Sequence, residues 1–208
     1  MLPFVIKDEV VNQKMQIQSL FPTSIAFLQM DKAVSKKILA FMKSKGMQME
    51  LNISNNISID CFVLNNDELS DIKKVLTDSV NEYFKEIIKP DQDLEFNITN
   101  SWINVTKNGE SHQLHKHKNS ILSAILYIDT CEEDEISFIN EHDVFGNFSF
   151  TSNHVTDWNA SMWTVSAETD TLIIFPSTLQ HRVNTRPNTC TGTRISLSFN
   201  TWVKGMFS

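Results

Sequence analysis

After Pro90 the apolar residues stop recurring at helical spacing and fall into short runs separated by turn residues, and this change constrains the fold more than any other feature. Ile98–Thr106 alternates around Trp102, Ile103, Asn104 and Val105, while Ile121–Ile128 is continuously apolar. Ile136–Ile139, Phe148–Thr151, Met162–Val165, Thr171–Phe175 and Arg194–Val203 complete the set. Many short strands with turn signals between them indicate a β-sandwich or barrel, with a jelly roll among the options.

The chain before Pro90 reads differently. Leu20–Leu28 is a turn leading into a strand, and Ile57–Val63 is β-like. Asp31 predicts the N-cap of a helix running to about Lys45, with Val34, Ile38, Phe41 and Met42 as its apolar stripe and Gly46 as its stop. A second helix is expected from about Asp67 to Ile88, its face built from Leu69, Ile72, Val75, Leu76, Val80, Tyr83, Phe84, Ile87 and Ile88. Both read as braces for a sheet. No repeat and no Pro/Gly/Ser linker divides the chain, so residues 1–208 are expected to form one domain, with helical support over about 31–90 and a β core over about 97–204.

The formal net charge of −7 and the dispersed basic residues argue against nucleic acid as a partner. No apolar run approaches a membrane span, and Met1–Glu9 lacks the basic start and apolar stretch of an export signal. Cys61, Cys131 and Cys190 are odd in number and far apart, which predicts reduced thiols and no disulfide framework in a cytoplasmic protein. A homo-oligomer is compatible with this composition.

The chemistry concentrates in Ser111–Ser120, which contains His112, His115 and His117. On an extended strand His115 and His117 leave the same face, as two imidazoles of a strand-borne metal site must, and His112 points to the other. Taken alone, the stretch reads equally well as a solvated basic turn. Farther on, the apolar strand Leu172–Phe175 ends at Pro176, and His181 opens the next extended segment. On the strand Arg194–Phe199, Arg194, Ser196 and Ser198 share one face and Ile195, Leu197 and Phe199 the other. Inside a narrow barrel that polar face would line a pocket, with a guanidinium able to hold a carboxylate bidentately.

Two His at strand spacing, a distant third His after a buried strand, then Arg-x-Ser: this order resembles the 2-oxoglutarate- and Fe(II)-dependent dioxygenases. More narrowly it is similar to a bacterial and phage subgroup with a His-x-His pattern, a Leu-Phe-Pro-Thr lead-in (here Leu20–Thr23) and a Phe-Pro-Ser…His-Arg-Val block (here Phe175–Val183). The resemblance implies a mainly β double-stranded β-helix (jelly roll, cupin-like) with flanking helices. It implies Fe(II) held by His115, His117 and His181, and 2-oxoglutarate held by Arg194 and Ser196. It further implies a hydroxylase that uses molecular oxygen on a small-molecule or peptidyl substrate and releases succinate and CO2. The departure lies at His117, where most of the superfamily places Asp or Glu. Two other readings stand beside this one: a three-His dioxygenase without 2-oxoglutarate, and a non-catalytic cupin-like module that binds metal or a small ligand.

Tyr127 lies on the same strand face as Ser123, where its phenol could reach the cosubstrate carboxylate, and Asn104 could line the pocket. His112, His142 and His154 lack a partner at ligand spacing. Trp158 and Trp163 read as packing or lid residues, Cys131–Glu135 as an exposed turn, and Asn140–Glu168 as the place for a substrate lid.

Overall fold

The computed structural model describes residues 15–16, 20–141 and 151–206. Two helices precede most of the strands. α1 (Lys32–Ser44) is capped by Asp31, whose carboxylate accepts the Ala33 N–H at 2.8 Å, and the chain leaves it through Gly46 at φ +54°. A 3₁₀ turn over Asp67–Leu69 leads into α2 (Ser70–Ile88). Lys89 closes that helix in the left-handed conformation, its N–H bonded to Lys85 O, before Pro90. The buried face of α2 is Ile72, Leu76, Ser79, Val80 and Tyr83; Val75, Ile87 and Ile88, expected in the stripe, face outward.

The strands are β1 (Ala26–Gln29), β2 (Met49–Asn52), β3 (Asn55–Ser58), β4 (Leu94–Thr106), β5 (His112–His115), β6 (Leu122–Asp129), β7 (Glu135–Ile139), β8 (Met162–Ser166), β9 (Thr171–Pro176), β10 (His181–Val183) and β11 (Arg194–Gly205). They form a seven-stranded sheet, β1-β9-β6-β11-β4-β3-β2, and a four-stranded sheet, β5-β10-β7-β8, with every pairing between these strands antiparallel. This is a jelly roll with helices on one side.

Two apolar clusters explain why β6 and β9 are continuously hydrophobic: both faces of each strand are covered. Leu122, Ala124, Leu126, Ile128, Leu172 and Ile174 join the cluster that holds Ile38, Phe41, Leu76 and Val80 of the helices. Ile125, Tyr127, Ile173 and Phe175 pack instead with Ile136 and Phe138 of the smaller sheet. β11 is divided in the same way, with Ile195, Leu197 and Phe199 belonging to the helix-side cluster.

Three local expectations change. Ile57–Val63 is not one strand: β3 ends at Ser58, and Val63–Asn65 turns as a 3₁₀ segment that buries Val63 and Leu64 in the core. Of Phe148–Thr151, residues 148–150 lie outside the described residues, and Thr151 is in no strand. The cysteines are not all reduced, for Cys131 and Cys190 form a disulfide with a Cα–Cα separation of 5.9 Å, leaving Cys61 free and exposed. Fifty-nine residues separate the pair, and only the return of the chain from β11's approach to the turn before β7 brings them together. No described helix is long and apolar enough to cross a membrane.

Candidate metal centre

β5 and β10 are neighbours in the smaller sheet, and their register places His115 directly opposite His181. β5 ends at His115, so His117 sits just beyond the strand, where its N–H donates to Ser177 O at 3.0 Å. That bond ties it to the turn after β9, which also carries the chain to His181. One ligand nitrogen from each of His115, His117 and His181 lies within 4.8 Å of the others.

The tautomers of two rings follow from their partners. Nδ1 of His115 lies 2.7 Å from Gln113 O, and Nδ1 of His181 lies 2.9 Å from Leu179 O. A carbonyl can only accept, so each Nδ1 is the donor and each Nε2 keeps its lone pair for a metal. Burial penalises the imidazolium in all three rings, and for His117 and His181 the neighbouring histidines add repulsion. His117 is pushed down to about 4 and His181 to about 3, and His115 is also lowered. Neutral imidazoles are the protonation state that ligation requires. His181 is 1% exposed and packs edge-on to Phe175 at 4.7 Å, while Trp102 borders His117 at 5.9 Å.

His112 does not point to the far face. A bulge falls between β10 residues His181 and Val183, so Val183 pairs with His112 and an extra β5 residue is accommodated. The bulge breaks the simple alternation, and the His112 ring stacks on His115 at 4.3 Å and 15° and lines the same pocket. Burial, then repulsion from its neighbours, takes it to about 4.

The pocket continues along β4 and β11 past Asn104, Thr106, Ser196 and Ser198 to Arg194. Arg194 is 2% exposed. Its Nη1 donates to Asp134 Oδ1 at 2.9 Å and reaches Asn184 O at 3.5 Å, whereas Nη2 is buried without a partner. The full fork expected from the sequence is therefore not free: half of it is held by the protein. Tyr127, paired in register with Ser196 on the neighbouring strand, is likewise buried with its hydroxyl unpartnered. Burial, with Asp134 nearby, raises the Tyr127 phenol and keeps its proton, although Arg194 works in the opposite direction. Arg194 Nη2 and Tyr127 Oη are thus two buried polar atoms without a partner, on paired strands and within electrostatic reach of each other.

Two residues of this site were not anticipated. Asp134, within a run expected to be an exposed turn, is fully buried and binds Arg186 Nη1 at 2.6 Å as well as Arg194. Arg186 is itself 1% exposed. A lone Asp among Glu132, Glu133 and Glu135 carries no sequence signal of burial. Among the other residues considered, Asn104 lines the pocket and donates to Ser198 Oγ at 2.9 Å. His154 is exposed, as are Trp158 and Trp163, and His142 and much of the expected lid (142–150) lie outside the described residues.

Residues 100–200 match a family model described as "Putative 2OG-Fe(II) oxygenase". No curated protein matches the chain significantly. Among solved structures, a 2OG-Fe(II) oxygenase family oxidoreductase from Burkholderia pseudomallei is similar with a TM-score of 0.61 and 13% identity, over 85% of this chain and 83% of that one. A Pseudomonas putida prolyl-4-hydroxylase aligns with a TM-score of 0.58 and 10% identity, over 89% and 94%. HygX from Streptomyces hygroscopicus, solved with nickel, 2-oxoglutarate and hygromycin B, aligns with a TM-score of 0.59 and 9% identity, over 86% and 82%. At these identities the structural likeness establishes the fold.

Proposed function

We propose that the chain, whose residues 100–200 match the 2OG-Fe(II) oxygenase family model, is such an oxygenase and that, as a single domain, it hydroxylates a C–H bond with the pocket just described. His115, His117 and His181 hold Fe(II), and Arg194, Tyr127 and Ser196 hold the distal carboxylate of 2-oxoglutarate. The observation that carries this reading is Arg194 Nη2, a buried donor without a partner on a residue that lines the same pocket as the three histidines, with the unpartnered Tyr127 hydroxyl buried on the strand paired to it. A dioxygenase with no 2-oxo acid, or a module binding metal alone, would leave both donors unsatisfied.

Fe(II) with 2-oxoglutarate, when bound, supplies the oxygen activation: one oxygen atom goes to succinate as CO2 leaves, and the other goes to the hydroxyl of the product. The protein's own residues bind, orient and exclude. Backbone carbonyls at Gln113 and Leu179 fix two rings with Nε2 free. The Arg194 guanidinium donates to a carboxylate, the Ser196 hydroxyl lies on the same wall, and the neutral phenol of Tyr127, on the strand paired to Ser196, offers a second buried donor. Ile125 on the pocket wall and Phe175 behind the His181 ring supply apolar packing beside the histidines. Asn104, Trp102 and His112 lie on the remaining walls, where substrate would enter.

The similar structures include a prolyl-4-hydroxylase and one holding hygromycin B, which supports a peptidyl or small-molecule substrate. The test is product analysis. Protein supplied with Fe(II), oxygen and 2-oxoglutarate should release succinate in step with 2-oxoglutarate consumed, at a slow uncoupled rate without substrate. Iron-loaded protein that leaves 2-oxoglutarate intact under every substrate mixture would contradict the assignment.

A further inference from the structure

Arg194 belongs to a buried cluster of three charges. Asp134 places Oδ1 on Arg194 and Oδ2 on Arg186, with side-chain exposures of 0% for the acid and 3% and 1% for the two arginines. Arg186 is held from every side: Nε donates to Asn108 Oδ1 at 3.0 Å and Nη2 to Thr191 O at 2.9 Å. The loop that carries it is closed onto the Asp134 turn by the Cys131–Cys190 disulfide. Two cations against one anion leave a single net positive charge inside the protein. Taking an unneutralised charge out of water is costly. Within this cluster the buried donor atom without a partner is Arg194 Nη2.

We propose that Arg186 is a positioning residue for the cosubstrate: by sharing Asp134 it keeps Arg194 only half neutralised, so that an incoming carboxylate completes the cluster's charge. If Arg186 were absent, both oxygens of Asp134 would serve Arg194 alone, the cluster would be neutral, and a buried carboxylate would meet no net positive charge. Arg186 does not line the pocket and acts only through Asp134. The inference rests on the reading that Arg194 receives 2-oxoglutarate.

Charge balance gives a test that simple loss of packing cannot mimic. Arg186→Gln takes the cluster from one net positive charge to zero, whereas Arg186→Gln with Asp134→Asn returns it to one. Calorimetric titration of 2-oxoglutarate into Ni(II)-loaded protein reads affinity without turnover. The single variant should bind roughly tenfold or more weakly than the parent, and the double variant should return to within about threefold. Metal affinity should be unchanged in both. If the double variant binds as weakly as the single one, or weaker, Arg186 contributes only to folding and the proposal is overturned. Parent-like binding by Arg186→Gln overturns it as well. Should the single variant fail to fold, the double variant decides by itself, since loss of its affinity contradicts the charge argument. A parent that binds Ni(II) but no 2-oxoglutarate would instead refute the underlying assignment.

Discussion

Four imidazoles share the pocket, and at neutral pH burial, joined by repulsion from neighbouring rings for all but His115, keeps them uncharged: His112 and His117 are lowered to about 4, His181 to about 3, and His115 is lowered too. In the unfolded chain each titrates near 6.5. Between those values the unfolded state binds protons that the folded state refuses, so stability rises with pH across the window and falls as pH drops from about 6.5 toward 4. Each proton contributes at most about 1.4 kcal/mol per pH unit. Denaturant titrations of the metal-free protein in chelator, from pH 7 to pH 4.5, should show this decline. His181→Phe, which replaces the most buried ring beside Phe138 and Phe175, should make the slope shallower. A parent whose stability is flat across this range would mean that the rings are hydrated and the pocket is open. In the sequence His115 and His117 stand out by their spacing and His181 by the resemblance of its block; the three rings do converge, although β5 ends at His115 and His117 lies beyond the strand. The sequence hides His112, since a bulge that swings a ring to the other face leaves no mark on the pattern.

At the scale of elements, alternation and capping carry far. Asp31 and Gly46 bound the first helix, Pro90 follows the second, and the doubly apolar runs become central strands. Expectations failed where a segment's fate is set by what packs over it. Val63 and Leu64 are drawn into a buried turn, and the acidic run beginning at Glu132 supplies one carboxylate to two buried guanidiniums. The disulfide belongs to the same class, because its cysteines meet only through the tertiary path between β7's approach and β11's. Closing a loop of that length restricts the unfolded chain. Cys190→Ser, or reduction under native conditions, should lower unfolding stability by roughly 2–4 kcal/mol. An unchanged denaturation midpoint would show that the thiols are not bonded in solution.

Across the whole molecule, one sheet is anchored by helices and the other carries two of the three histidines, so the site forms where the smaller sheet faces β4 and β11. The jelly roll brings β5 and β10, distant in sequence, into register and places Arg194 at the start of β11 in the other sheet, lining the same pocket. The central claim is that metal and 2-oxo acid bind together in this pocket. It is tested most directly by adding 2-oxoglutarate to the anaerobic Fe(II)-loaded protein and recording the visible spectrum. A charge-transfer band should appear and saturate at one equivalent per chain. It should be lost in His181→Ala and need much higher 2-oxoglutarate in Arg194→Lys, which keeps the charge but loses the guanidinium geometry. A protein that takes up Fe(II) and develops no band at saturating 2-oxoglutarate would contradict the account.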